Sequence, residues 1–377
     1  MENKPIRILI IDGKLICGGV EAFLMNVYRH IDRNKIQFDF LVHYKERFFY
    51  DDEVEKLGGK VYRLTFRNDR NIIKYIHDLK SFFKEHKEYS IVWGHMDGLA
   101  SIYLRIAKKS GVNTTICHSH TTGHEKSLKG IVKSVLKMNA YQYSDIKFAC
   151  STEAGEYLYG NREFTNIHNA IEIKKYQYNN MTRKEIRNQY NWNDKIVIGH
   201  IGRFFSEKNH EYLIKIFERI CNLEDNFVLC LCGDGDDREK IFNMVKDKGL
   251  ESKVFFLGNI SNANDFYQAF DMFVLPSLYE GLPVTGVEAQ TSGLKCFFSD
   301  TITREVNLVE ENVKFLPIGD ENIDIWVNEI IKNSEYTRID KSQKIREKGY
   351  SIEDLSKNLE EFFVEEYNKN RIERKNI

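Results

Sequence analysis

The sequence predicts an α/β protein built from two doubly wound parallel sheets, and three observations carry that expectation. Short apolar strands alternate with helical patterns along all 377 residues, the signature of βαβ units. Runs such as IRILIID, from Ile6, are apolar almost without interruption, as when both faces of a sheet are covered. The alternation breaks once, in the polar and charged stretch Asn169–Asn193, and then restarts. These features suggest an N-terminal domain over 1–175, a C-terminal domain over 176–350 and a final helix over 351–377. Two α/β domains of ordinary size fit this length.

The first half offers the strands IRILIID, FDFLVH, KVYRL, SIVWGH, TTICHS and IKFACS. Gly18 and Gly19 follow the first of them and open a helix. Glycine lets backbone approach a ligand closely, and a helix N-terminus favours negative charge. A Gly-Gly pair serves equally as a plain turn. His118 and His120 close the fifth strand in TTICHSH, either as polar site residues or as satisfied core groups. Lys126, Lys129, Lys133 and Lys137 then recur three or four apart, which puts them on one helical stripe. Leu128, Ile131, Val132, Val135 and Leu136 form an apolar stripe beside them. Such a helix packs on a sheet with its lysines solvated, or lies in an anionic membrane surface.

The second half offers KIVIGHIG, FVLCLCG, KVFFLG, DMFVLP, LKCFFS and VKFLP. Arg203 and Lys208, in GRFFSEKN, follow the first of these strands. Two cations at a strand's carboxyl end can neutralise a diphosphate, each charge-assisted contact contributing roughly 1.5–3 kcal/mol. Asp234-Gly235-Asp236 sits in the turn after FVLCLCG, where a Gly-Asp-Gly loop is ordinary and a metal motif is not expected. The stretch VLPSLYEGLPVTGVEAQTSG, Val274 to Gly293, runs from a strand through a Pro, Ser and Gly turn into a helix near Pro283. Such corners lie at the carboxyl ends of strands, where parallel α/β sheets bind ligands. Amides of Leu282, Val284 and Thr285 and the helix dipole favour an anion there. Glu280 and Glu288 frame the corner and suit hydroxyl groups attached to that anion; two solvated acids on a capped helix have the same spacing. The tail SIEDLSKNLEEFFVEEYNK, from Ser351, reads as a capped amphipathic helix.

Composition narrows the function classes. A net charge of -1 gives no global field for nucleic acid. Seven Cys, an odd number without CxxC pairs, argue for a reducing compartment. Cys230 and Cys232 read as core thiols within an apolar strand. MENKPIRILIID enters a strand directly, with no apolar signal region, and no run approaches the roughly 20 apolar residues of a membrane span. The expectation is a cytoplasmic protein.

The stretch at Val274–Gly293 resembles the Glu-x7-Glu signature of retaining, nucleotide-sugar-dependent glycosyltransferases of group 1 (family 4 type). GGVEAFLMNVYRHID, CHSH and GRFFSEKN match further pieces of that family in its order, so the resemblance covers nearly the whole chain. It is greatest to bacterial transferases that assemble capsule or exopolysaccharide. The resemblance implies the GT-B fold: two Rossmann-like domains facing each other across a cleft, with the last helix crossing back to the N-terminal domain. It implies transfer of a hexose-type sugar from a nucleotide diphosphate donor, UDP-linked by expectation, to a polysaccharide or lipid-linked glycan precursor. By the same resemblance Glu288 accepts from ribose hydroxyls, and Glu280 binds the donor sugar. Gly281, Leu282, Pro283, Val284 and Thr285 contact sugar and phosphate, and Arg203 and Lys208 stabilise the leaving diphosphate. Gly18 and Gly19 contact donor phosphate or acceptor, and His118 faces the donor sugar. His120 and Asn169 lie on the acceptor side, although Ala170 replaces the glycine of the family's hinge. Asn209 likewise stands where many relatives carry glycine. No metal and no cofactor are implied; the nucleotide sugar is a substrate. The rival readings are a UDP-sugar epimerase or hydrolase of the same fold, and a nucleotide-sugar-binding protein without catalysis.

Overall fold

A computed structural model describes residues 4–120 and 140–373. The lysine stripe Lys126, Lys129, Lys133 and Lys137 lies outside the described residues. The chain divides into two compact units, one formed by residues 1–170 with 352–377 and the other by 171–351.

The first unit holds a seven-stranded parallel sheet in the order β3-β2-β1-β4-β5-β6-β7. Its strands are β1 (Ile6–Ile11), β2 (Ile36–Val42), β3 (Val61–Arg63), β4 (Ile91–Gly94), β5 (Thr114–Ser119), β6 (Ile146–Ala149) and β7 (Thr165–Asn166). Strand β1 alternates between two buried layers. Ile8 and Ile10 pack with α1 (Gly19–His30), whereas Leu9 and Ile11 join residues of α4 (Ile72–Glu85) and α5 (Ala100–Lys109). That explains the unbroken apolar run, since each face has its own helical cover.

The last helix, Ile352–Glu373, packs on the α1 side of this sheet through Ile352, Leu359 and Phe363. Phe363 meets Phe38 and Trp93 edge-on or tilted, with centroids 6.0 and 5.5 Å away. Polar contacts fix its direction. Glu360 accepts from the Asp32 amide at 3.1 Å and pairs with Lys35 at 2.6 Å, and Asn370 donates to Thr114 Oγ1 at 3.0 Å.

The second unit holds a six-stranded parallel sheet, β10-β9-β8-β11-β12-β13. Its strands are β8 (Ile196–Ile201), β9 (Phe227–Cys232), β10 (Val254–Gly258), β11 (Met272–Leu275), β12 (Lys295–Ser299) and β13 (Val313–Leu316). Both sheets wind outward from a central pair, β1/β4 and β8/β11, and these are their topological switch points. The polar stretch Asn169–Asn193 contains the boundary between the units, at 170/171. It forms the helices Ile173–Tyr176 and Asn180–Tyr190, the second capped by Asn179, and both belong to the second unit. Arg183 and Arg187 bind Asp271 at the foot of β11, which is why so charged a segment stays folded against the sheet. Among the described residues no helix is long and apolar enough to cross a membrane.

Candidate functional site

In the second unit the loops leaving β8 and β11 meet at the switch point. The β8 loop carries Arg203 and Lys208, and Leu278 after β11 donates its amide to Glu207 O at 2.8 Å. Asn209 adopts the left-handed conformation, φ 56°, and donates from Nδ2 to Pro276 O at 3.1 Å. A left-handed backbone suits glycine or asparagine, and the Asn209 side chain adds a tether that glycine could not. The Asp234-Gly235-Asp236 turn packs against this loop. A Cβ on Gly233 would lie 2.0 Å from Gly202 O, and Phe204 donates its amide to Asp234 O at 3.0 Å. The Asp234 carboxylate accepts from the Gly235 amide at 2.9 Å and faces Arg238.

Lys208 and Glu280 form a largely buried ion pair, and Ser277 Oγ donates to the same Glu280 oxygen at 2.8 Å. The expected diphosphate cation and the expected sugar-binding acid therefore neutralise each other in the unliganded protein. Arg203 is different: it is exposed, leans over the Phe205 ring at 4.9 Å and has no acidic partner among the described residues. It is the available cation of the corner.

The helix after this turn spans Val284–Thr291, with Pro283 as its extended N-cap residue. Its first amides lack intrahelical acceptors by construction. Gly281 stands in open space, and Thr285 Oγ1 is buried without a partner. Glu288 lies one turn further along the helix. Its carboxylate accepts from Tyr267 OH at 2.8 Å and also from Tyr176, while burial raises its pKa above the ordinary range. A carboxylate held by two phenols is oriented before any ligand arrives. Neither tyrosine was visible as a site residue in the sequence, because both come from other helices.

In the first unit the carboxyl ends of β1, β4 and β5 bring polar groups together on the face covered by α1. Gly94 is the register partner of both Ile11 and Cys117, so Asp12, His95 and His118 follow in one row. His118 is wholly buried, stacked on Trp93 at 5.7 Å and edge-on to Phe23 at 5.5 Å, with neither ring nitrogen partnered. His120, two residues on and half-buried, shares a 2.8 Å contact between its Nε2 and His95 Nδ1. Of the two expected histidines, His118 thus occupies the inner position and His120 the outer one. Burial holds all three imidazoles neutral, with His120 pushed down to about 3 and the other two far below their usual value.

The nitrogens of these histidines lie within 4.8 Å of one another, the convergence a metal site needs. Ligands on a tetrahedral zinc ion with bonds of about 2.0–2.1 Å stand roughly 3.3 Å apart. The closer His95–His120 contact is instead that of a hydrogen bond.

Gly18 caps α1 in extended conformation, and a Cβ there would meet Glu21 Oε2 at 2.4 Å. Glu21 folds back over the helix N-terminus, so an anion approaching Gly18 and Gly19 would meet a carboxylate first. Asp12, just beyond β1, has an unpartnered buried Oδ2; burial and then the charge of Glu21 push its carboxyl up to about 7. Asn169 is partly buried with Oδ1 unpartnered. Ala170 is absent from the positive-φ positions, so no glycine is needed there.

Comparison with known proteins follows this geometry. Residues 182–352 match the family Glycosyl transferases group 1. The putative glycosyltransferase EpsF of Bacillus subtilis (strain 168) is 32% identical over 345 residues, covering 88% of each chain. An Escherichia coli UDP-Gal:alpha-D-GlcNAc-diphosphoundecaprenol alpha-1,3-galactosyltransferase is 23% identical over 352 residues, again covering 88% of each. Among solved structures, Anabaena HepE in complex with UDP-glucose superposes with a TM-score of 0.74 at 16% identity, covering 95% of this chain and 99% of that one.

Proposed function

The chain belongs to the group 1 glycosyl transferases and has the GT-B fold, and from that premise we propose that it is a retaining hexosyltransferase using a UDP-sugar donor. The observation that carries this reading is the switch point of the second sheet, where Arg203, the Lys208–Glu280 pair and the oriented Glu288 surround one helix N-terminus. Glu288 accepts from the ribose hydroxyls. The amides of Gly281 to Thr285 and the helix dipole take the diphosphate. Glu280 holds the donor sugar, and Lys208 beside it reaches the adjoining phosphate. As the anomeric C–O bond breaks, charge grows on the leaving diphosphate, and Arg203 and Lys208 stabilise it most at that moment. This preorganised positive charge takes the place of a metal, so the transfer is metal-independent. The leaving phosphate then accepts the proton of the incoming hydroxyl on the same face of the sugar, which retains configuration.

The first unit receives the acceptor. Gly19 leaves room for it beside the Glu21 carboxylate that covers Gly18, and His120, backed by His118 and positioned by His95, hydrogen-bonds the sugars as a neutral group. Asn169 adds a polar contact on that side. The names of the relatives support a polysaccharide or lipid-linked acceptor, as in the E. coli transferase to a diphosphoundecaprenol glycan. HepE, which binds UDP-glucose, supports the donor class. The work is placed in the cytoplasm, at the inner face of the plasma membrane, in capsule or exopolysaccharide assembly. The test is incubation with UDP-sugars and lipid extract in excess EDTA, with NMR of the product linkage. An α-linked product from an α-linked donor supports the reading. An inverted linkage, free sugar alone, or activity restored only by manganese overturns it.

A further inference from the structure

We propose that the corner between the short helix α3 (Phe66–Asp69) and α4 is a docking surface for an anionic lipid bilayer. Helix α4 already has a complete inner face in Tyr75, Leu79, Phe82 and Phe83, all buried. Ile72 and Ile73 at its start add nothing to that core: they are 40% and 78% exposed. Asn71 caps the helix, accepting from the amides of Ile73 and Lys74 at 3.1 Å, so the isoleucines are held outward by an ordered turn. The residue before the cap, Arg70, sits in the left-handed region at φ 51°, a conformation that costs an arginine free energy and that glycine or asparagine would fill more readily.

Charge identifies the occupant. Arg67 and Arg70 are exposed here with no ion pair among the described residues, and Lys45, whose amide donates to Asn68 Oδ1 at 3.1 Å, lies in the field of Glu46 and Asp69. Two acids share the corner: Glu46, which accepts from Asn68 at 3.1 Å and keeps its charge, and Asp69, paired with Lys74 and accepting from Thr65, so the cations outnumber them. Ile73 also begins the outward stripe of α4, which continues through His77, Lys80 and Lys84, all exposed. Exposed aliphatic side chains beside an excess of cations match the apolar interface and negative surface potential of an anionic leaflet. The strands of this sheet are parallel, so the corner follows β2 and β3 at the same end where Asp12, His95 and His120 follow β1, β4 and β5. A bilayer docked there would deliver a lipid-linked acceptor to that end, a benefit that rests on the proposed function.

The test uses the full chain with phosphatidylglycerol-containing and pure phosphatidylcholine vesicles, by co-sedimentation at low and high salt. Wild type should bind only the anionic vesicles, less at high salt. Replacing Lys45, Arg67 and Arg70 by Gln should weaken binding on the order of a hundredfold. The Ile72→Ser, Ile73→Ser double variant should weaken it about tenfold with the salt dependence intact. All are surface changes, and unchanged hydrogen-exchange protection of β1 and β4 would show that the first unit of each variant is folded. Wild type in the supernatant at low salt overturns the proposal. So does a dimer that the serine variant dissociates, because the isoleucines then serve self-association. Vesicle binding without sugar transfer leaves the docking surface standing and removes the acceptor assignment; transfer without vesicle binding does the reverse.

Discussion

Arg203 and Lys208 looked alike in the sequence, and the structure separates them. Lys208 is tied to Glu280, whereas Arg203 has no acidic partner among the described residues. Arg203→Ala should therefore leave the fold and donor affinity nearly unchanged while lowering kcat about ten- to a hundredfold, since its partner charge appears on the leaving group. Steady-state kinetics check this, and a rise in KM with kcat intact would mean Arg203 only holds the ground state. Asp12 gives a prediction of another kind. Its folded-state pKa, about 7, stands well above the ordinary aspartate value near 3.8. The stability it contributes is therefore complete below about pH 4 and is lost as pH rises through 7. Asp12→Asn has no such titration, so at pH 8 it should gain about 3 kcal/mol relative to wild type compared with the difference at pH 4. Urea unfolding at the two pH values measures it; equal differences would contradict the buried, unpaired carboxyl.

At the scale of elements, strands were read well because burial on two faces leaves an apolar run such as FVLCLCG that no helix period explains. The two-residue strand β7, Thr165–Asn166, has both residues exposed, and nothing in its composition marks it. The stretch Asn169–Asn193 contains the unit boundary, but two of its charges, Arg183 and Arg187, pair with Asp271 rather than face solvent, which pattern alone cannot tell. The oriented Glu288 was legible, but Tyr176 and Tyr267 were not, because their convergence is tertiary. The final helix was legible as amphipathic, and its docking is now attributable to named side chains. Phe363→Ala should destabilise the first unit by about 3–5 kcal/mol, the cost of truncating a wholly buried phenylalanine. Hydrogen exchange would place the loss in 1–170 with 352–377, leaving residues 171–351 unchanged. A uniform loss would contradict the unit boundaries.

Across the whole molecule, buried neutral histidines are unevenly shared. His43, His95 and His118, with the half-buried His120 beside them, belong to the first unit, His200 and His210 to the second. Burial lowers all six, to about 4 for His43 and His200 and about 2 for His210. The stability they carry is complete above the unfolded value near 6.5 and falls with acid by about 1.4 kcal/mol per pH unit for each histidine. Acidification from pH 6.5 should thus unfold the first unit before the second, as resolved by exchange or limited proteolysis. The reverse order would show that other groups dominate.

The central claim is that the switch point of the second sheet holds the nucleotide of a sugar donor, with Glu288 on the ribose. Calorimetric titration with UDP tests it most directly, comparing wild type with Glu288→Gln. Glutamine still offers Tyr267 an acceptor, so the helix keeps its packing, but the charge that strengthens the ribose hydrogen bonds is gone. The account predicts UDP binding to the wild type and an affinity about tenfold lower in the variant. Undiminished affinity in the folded Glu288→Gln protein would contradict it.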